Sequence, residues 1–420
     1  MTAAVGVCSR EELVIRRATQ VTRKVEVMIR EYDAQKDLAS VEEVERTCEV
    51  GPSGTVSLII DLLGDPLCRV RHSPAFHMLV AETCGSQKLI VGLIRGCIKT
   101  IVCGKKTRRS SAATASIPIY TKAGYILGLR VSPAHRRMGI GQKLVVQMEE
   151  WFRSNGSEYV YMATEKDNLA SLGLFTGRCG YAKFRTPALL VQPVFAHRLH
   201  LSPRASLFRL QPDEAESLYR RYFSTVEFFP RDIDAVLRNP LSLATILALP
   251  TGASWPGSAD RFLSHPPSSW AVLSIWDCNS LFRLEVRGVP LLLRGLAWTI
   301  RAVDRAVPWL RIPSVPNLFR PFGGYFLYGI GGEGPEAAKL LRVLCRHAHN
   351  MAREGGCGVV ATEVASCEPL AAGIPHWRRL SCEEDLWCVK RLAEEYSDGT
   401  VGDWTRSPPG SSIFVDPREV

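Results

Sequence analysis

The stretch LGLRVSPAHRRMGIG, residues 127–141, carries a strand into a helix through a turn with glycine at 139 and 141. Apolar residues alternate in GYILGLRV, which leads into it. After Gly141 the period changes. Leu144, Val145, Met148, Trp151 and Phe152 fall at helical spacing on one face, and Asn155-Gly156 stops the run. Two residues without a Cβ at a helix start let an oxygen-rich group come close to the backbone. The first helical turn offers N–H groups with no intrahelical acceptor and a partial positive charge. Together they make a diphosphate site, with Arg136 and Arg137 adding charge at its rim. A P-loop would need Gly-Lys-Ser/Thr, which Gln142-Lys143 does not supply. A dinucleotide fingerprint would need a third glycine where Leu144 stands.

The flanks set the fold class. VEVMIREYDAQKDLASVEEVERTCEVG begins as a strand at Val25, Val27 and Ile29. It continues as a helix with Leu38, Val41 and Val44 on one face, and Gly51 ends it. AFHMLVAE and LIVGLIRGCIKTIV read as strands, and SSAATASIP after them as a loop. Beyond the central helix come a strand, YVYMAT, and a short helix, DNLASLGLF, capped by Asp167 or Asn168. GYAKFR is the last strand of this half. The order predicts a mixed α/β layer.

A chain of 420 residues exceeds one ordinary core, so two domains are expected. An internal repeat supports a tandem duplication. GYILGLRVSP (124–133) is echoed by GYFLYGIGGEGP (324–335), and EEWFRSNGSEYVYMATE (149–165) by HNMAREGGCGVVATE (349–363). The second copy has EAAKLL in place of the arginines and the paired glycines. The expected organisation is a flexible N-terminus (1–23), a first domain with the phosphate loop (24–190), and a connector (191–206) punctuated by Pro193 and Pro203. A degenerate second domain (207–395) and a flexible tail (396–420) follow.

Composition narrows the function classes. Hydrophobic content of 46 % and charged content of 22 % are ordinary for a globular chain. PLLLRGLAWTIRAV is broken by Arg294 and Arg301 and does not read as a bilayer span, and the N-terminus lacks a signal peptide's apolar core. An intracellular protein with no membrane partner is the expectation. There are 13 cysteines and no CxxC pair, which suits free buried thiols in a reducing compartment. No Cys/His clustering points to a metal, and His347 and His349 diverge on a helix. Net charge is +10, and residues 95–231 hold 22 Lys and Arg against 9 Asp and Glu. That excess suits a polyphosphate cofactor, nucleic acid or an acidic partner, or simply a solvated surface. KKTRR (105–109) reads as a nuclear import patch, an acidic-partner contact or a solvated loop. Direct nucleic-acid binding is not expected, because no helix-turn-helix, zinc-finger or RNA-stacking signature is present.

Arg-x-x-Gly-x-Gly at 136, 139 and 141 resembles the pyrophosphate loop of the GCN5-related N-acetyltransferase (GNAT) superfamily, which holds acetyl-CoA. More widely, the chain resembles the HOOKLESS-like N-acetyltransferases of plants. The matching stretches are REYDAQKDLASVEEVERTCEVGPSG, LLGDPLCRVRHSP, LIVGLIRGCIKT, LRVSPAHRRMGIGQKLV and EFFPRDIDAVL. The resemblance implies tandem GNAT-like mixed-sheet domains, the second degenerate, with acetyl-CoA as co-substrate. It also implies a nucleus-based role in hormone-controlled differential growth, with a histone or other nuclear protein as a possible acceptor. By the superfamily's pattern, Leu129 and Val131 would offer backbone groups to the pantetheine arm. Arg136, Arg137, Met138, Gly139, Ile140 and Gly141 would hold the diphosphate, and Asn168 and Ser171 would flank the thioester.

Two departures bear on catalysis. Many superfamily members carry a tyrosine acid where this chain has Phe175, and phenylalanine cannot donate a proton. Many carry a carboxylate on the strand before the loop, and GYILGLRV has none. Freeing an amine at pH 7 costs roughly 4–5 kcal/mol for a lysine, of pKa about 10.4, and roughly 1–1.5 kcal/mol for an α-amine near 8. Candidate bases are Glu165 and Glu82, and candidate acids are Tyr125 and Tyr181. The expected reaction is transfer of an acetyl group to a protein lysine, a protein N-terminus or a small amine. The alternative is an acyl-CoA-binding regulatory protein with little catalysis.

Overall fold

A computed structural model describes residues 25–48, 57–107, 117–382, 384–393 and 403–420. The first half begins with β1 (Val27–Glu31) and α1 (Ala34–Thr47), which is capped by the Asp33 carboxylate accepting from Gln35 N. Next come β2 (Ser57–Asp61), β3 (Ala75–Thr83), β4 (Ile90–Thr107) and β5 (Ile117–Val131). Then follow α2 (Ile140–Ser154), β6 (Tyr159–Glu165), α3 (Leu169–Phe175) and β7 (Ala182–Arg185). The second half holds β8 (Ala188–Pro193), β9 (Ala205–Leu210), α4 (Pro212–Tyr222), α5 (Ile233–Leu237), β10 (Ser242–Pro250) and α6 (Ala259–Ser264). It continues with β11 (Trp270–Asp277), β12 (Arg283–Arg287), α7 (Leu291–Ala306), β13 (Gly324–Glu333), α8 (Ala337–Glu354), β14 (Val359–Val364) and β15 (Asp385–Arg391).

Two large mixed sheets result, in the orders β1-β3-β4-β5-β6-β15-β7 and β8-β14-β13-β11-β10-β9, and β2 pairs with β12. In the first sheet the two faces are covered by different helices. Val41 and Val44 of α1 meet Met78 and Val80, while Leu144 and Met148 of α2 meet Leu79 and Ala81. This is the period-2 alternation of a strand packed on both sides. The largest core lies between the sheets and joins Tyr125, Tyr161 and Trp387 of the first to Trp270, Phe326 and Tyr328 of the second.

The duplication is visible in three dimensions. Each half has one parallel strand pair joined by a helix: β5 with β6 through α2, and β13 with β14 through α8. Each first strand carries one residue at positive φ, Gly128 and Gly329.

The halves are not separable in the manner the sequence suggests. β15 comes from the second half, yet it inserts into the first sheet between β6 and β7. β8 is the edge of the second sheet, paired with β14, so the expected boundary at 190 falls inside a strand. Pro193 hid this strand, but proline is tolerated at a sheet edge, where its missing N–H is not needed. The expected flexible tail is also corrected for its described residues, 403–420. Trp404 is 0 % exposed and Phe414 is 2 % exposed, and both belong to the inter-sheet core. The Ser/Pro-rich composition around 407–412 masks these two large anchors. The N-terminal 1–23, most of the loop 110–118 and the side chains of KKTRR lie outside the described residues.

Candidate active site

β5 and β6 are paired only from Ala123↔Tyr159 to Ile126↔Met162. Beyond that register they part, while β5 stays bonded to β4 as far as Gly92↔Val131 and β6 to β15 as far as Glu165↔Asp385. The result is a wedge-shaped opening between two otherwise supported strands. Among the described residues, no strand pairs with β5 on this side, and the Leu129 and Val131 carbonyls accept only from side chains, those of Arg130, Arg136 and Cys48. The glycine turn stands at its wide end. Pro133–His135 forms one 3-10 turn, Arg137 takes φ 63°, and Gly139 takes φ 81° as the N-cap of α2. A Cβ built on Gly139 meets nothing within 4 Å, so the space above the helix start is open. The first N–H groups of α2 face that space without intrahelical acceptors. Arg136 and Arg137 are exposed at its rim, and Arg136 Nε donates to Val131 O at 3.2 Å. A diphosphate fits this cradle by charge, by donors and by room.

Each residue singled out in the sequence has a definite place. Leu129 and Val131 lie on the parted end of β5. Met138 is partly buried, and the Ile140 side chain is in the core, so Ile140 reaches the opening only through its backbone. Gly141 lies against Leu174 and Val131. Asn168 caps α3 by accepting from Ser171 N at 3.0 Å, which ties those two residues to each other. Phe175 is 2 % exposed and packs edge-on to Tyr181, so α3 presents no phenol to the opening. Tyr181 is buried beneath it.

The acid–base candidates fare differently. Glu82 is on β3, separated from β5 by β4, and is ion-paired to Arg30 at 2.7 Å. The same Arg30 holds the buried Asp37 at 2.6 Å, so this network fastens β1 to α1, on the far side of β4 from the parted end of β5. Tyr125 is buried against Tyr161, centroids 4.8 Å apart, and burial holds its pKa well above the ordinary value. Glu165 is exposed at the outer end of β6.

Residues 59–181 match the acetyltransferase (GNAT) family model. The "Probable N-acetyltransferase HLS1-like" of Arabidopsis thaliana is 62 % identical over 409 residues, covering 94 % of this chain and 99 % of that protein. The chain belongs to the GNAT acetyltransferase family, with the HLS1-like proteins. "Acetyl transferase GW6a" of Oryza sativa subsp. japonica is 42 % identical over 440 residues, covering 96 % of this chain and 99 % of that one. A solved structure of Saccharomyces cerevisiae N-myristoyltransferase with bound myristoyl-CoA matches with a TM-score of 0.51 over 87 % of this chain and 79 % of that chain. At 11 % identity this is a likeness of fold alone.

Among the described residues, the second half of this GNAT chain has no comparable cradle. Glu336 N at the start of α8 donates to Ser269 Oγ at 3.0 Å, and a Cβ on Gly334 would stand 2.1 Å from Ser268 O. The turn is therefore packed against its own sheet. Two phenols of α4 bind the backbone of β13, Tyr219 to Gly329 O at 3.1 Å and Tyr222 to Gly332 O at 3.0 Å.

The second half instead brings side chains to the first opening. Glu363 of β14 accepts from Trp387 Nε1 of β15 at 2.8 Å. Burial is the main cause that pushes its pKa up to about 8, and Asp385 adds to the effect. Asp385 is likewise raised, to about 6, by burial and by Glu165. Deeper in, the described tail delivers Glu419, which accepts from Lys99 and from the Tyr161 hydroxyl. Asp416 lies 3.1 Å from Lys99, and Arg418 binds Asp416 and Asp232, each at 2.7 Å. None of Glu363, Asp385 and Glu419 was singled out as a site residue from the sequence. Only the repeat, which aligns the Ala-Thr-Glu of Glu363 with that of Glu165, marked one of them.

Proposed function

We propose that the protein transfers an acetyl group from acetyl-CoA to an amine at the wedge between β5 and β6. The observation that carries this reading is the junction of the parted strands with the open, arginine-rimmed start of α2. Acetyl-CoA would supply the activated acyl group. The helix start and Arg136–Arg137 would bind its diphosphate, and the parted edge of β5 at Leu129 and Val131 would hold its extended arm. The diphosphate end then lies at the mouth, so the acyl end lies at the vertex beyond Ile126 and Met162. The acceptor remains an amine of a protein lysine, a protein N-terminus or a small molecule. The nuclear setting, the histone or nuclear-protein acceptor and the part in hormone-controlled growth rest on the resemblance to the plant relatives.

The test is calorimetric titration of the full chain with acetyl-CoA, followed by thiol release against histone-tail peptides and small amines from pH 7 to 9. Micromolar binding with amine-dependent thiol release is the expected result. Tight binding without release to any amine would leave an acyl-CoA-binding regulator instead.

A further inference from the structure

We propose that Glu363, a residue of the degenerate second half, is the general base for the acceptor amine at the first half's site. The proposal rests on the acetyl-transfer reading above and adds the group that the first half lacks. β5 carries no carboxylate from Gly124 to Val131. Glu82 is spent on Arg30.

The geometry fixes where Glu363 acts. Ile126↔Met162 is the last β5–β6 pair, so Ala163 is the first residue of β6 beyond the vertex. Ala163 is the register partner of Trp387. The Trp387 indole is stacked on Tyr161, on the face of the sheet that meets the second half, and its Nε1 holds Glu363 at 2.8 Å. The carboxylate is thus held over the sheet at the level where the strands part, which is where the acyl end lies. Glu165 stands two residues further out, exposed at the mouth. Glu363 is partly buried and has a single tethered oxygen, which leaves the other for an incoming ammonium.

Its surroundings suit proton uptake near neutral pH. The titratable groups that face it are Asp385 on β15, Tyr125 on β5 and Glu419 of the C-terminal segment, while Glu165 on β6 acts on Asp385. Lys99 and Tyr161 engage Glu419 rather than Glu363. The carboxylates raise the Glu363 pKa and also attract a cationic amine. The same pKa, about 8, brings the base close to the amine it must deprotonate.

The step balances in atoms. Of the three protons on the acceptor ammonium, one goes to the Glu363 carboxylate and one ends on the departing CoA sulfur. The third stays on the new amide. The amine lone pair forms the N–C bond, the C–S bond breaks, and Glu363 returns its proton to solvent.

The test uses the full chain, a lysine-rich histone-tail peptide and acetyl-CoA, with Glu363→Gln, Glu363→Asp and Glu165→Gln. Glutamine keeps an oxygen for the Trp387 indole, and calorimetric acetyl-CoA affinity reports that each variant is folded. The wild-type kcat/KM is expected to rise with pH through a limb near 8. Glu363→Gln should lower kcat/KM about 10²–10³-fold with unchanged acetyl-CoA affinity. It should also displace the limb toward the amine's own pKa. Glu363→Asp should retain part of the rate. If Glu363→Gln matches wild type in rate and pH profile, or if Glu165→Gln alone removes the limb, Glu363 is not the base. If wild type binds acetyl-CoA but releases no thiol to any amine, the acetyl-transfer reading itself fails.

Discussion

Gly139 is the residue on which the cofactor cradle turns. Its φ of 81° is natural for glycine and costs an L-residue about 1–2 kcal/mol. Gly139→Val adds branched bulk where the structure leaves open space, so the fold should survive with a modest loss of stability. Acetyl-CoA binding should weaken between tenfold and several-hundredfold, as one or two backbone contacts worth about 1–3 kcal/mol each are lost. Unchanged affinity in the folded variant would remove this turn from the site. Glu363 makes a second residue-scale prediction. Its folded pKa of about 8 lies above the ordinary 4.5, so between those values the folded state keeps a proton that the unfolded chain has lost. Stability therefore falls as pH rises through that window and levels off above it. Glu363→Gln removes the slope. Urea denaturation should show the variant gaining on wild type, by up to a few kcal/mol at about 1.4 kcal/mol per unit, at pH 9 and not at pH 4.

At the scale of elements, α7 is attached by its polar side. Buried Asp304 accepts from Ala196 N at 2.9 Å and His197 Nδ1 at 2.7 Å, and also from the Ser314 hydroxyl. Arg301 donates to Val194 O. Burial alone would raise the Asp304 pKa, but the bonds from Ser314, His197 and Ala196 outweigh it and hold the carboxyl below its usual range. That contribution to stability is present above the ordinary carboxylate pKa and is lost as pH falls through the depressed value. The opposite side of the helix carries Leu292 at 87 % and Trp298 at 71 % exposure. A helix built this way has its structural energy on the polar face. Asp304→Ala takes the acceptor from His197 and the Ser314 hydroxyl and leaves Ala196 N with only Ser314 Oγ at 3.2 Å, and it should lower the melting temperature by several degrees. Leu292→Ala should leave it within about 1–2 °C, since no burial is lost. A reversed order in thermal melts of the full chain would show that α7 is held by its leucines.

At the scale of the whole molecule, strand exchange makes one cooperative body of two sheets. Residues 207–395 taken alone would lack β8 and would keep β15 without the sheet that pairs it. Such a fragment should not fold, so cofactor stoichiometry belongs to the full chain. One acetyl-CoA per chain is expected, because the start of α8 is closed by Ser268 and Ser269. A calorimetric stoichiometry near two would refute it. The tail is structural at the same scale. Phe414→Ala empties a fully packed place between the sheets and should cost about 3–5 kcal/mol. A melt within a degree of wild type would place Phe414 outside the core.

What the sequence determined by itself is local. The α/β order, a cap at Asp167 or Asn168, the turn at Gly139 and Gly141, and the duplicated strand–helix–strand all depend on residues within a few turns of one another. Spacing and missing Cβ atoms record such features directly. Tertiary structure alone decided which strands share a sheet, that Glu82 belongs to Arg30, and that Trp404 and Phe414 are core. It also decided that Glu363 sits over a wedge built some 200 residues earlier. These depend on contacts between segments far apart in the chain. A buried carboxylate and a surface one look alike in sequence, because burial comes from the partner sheet rather than from neighbouring residues.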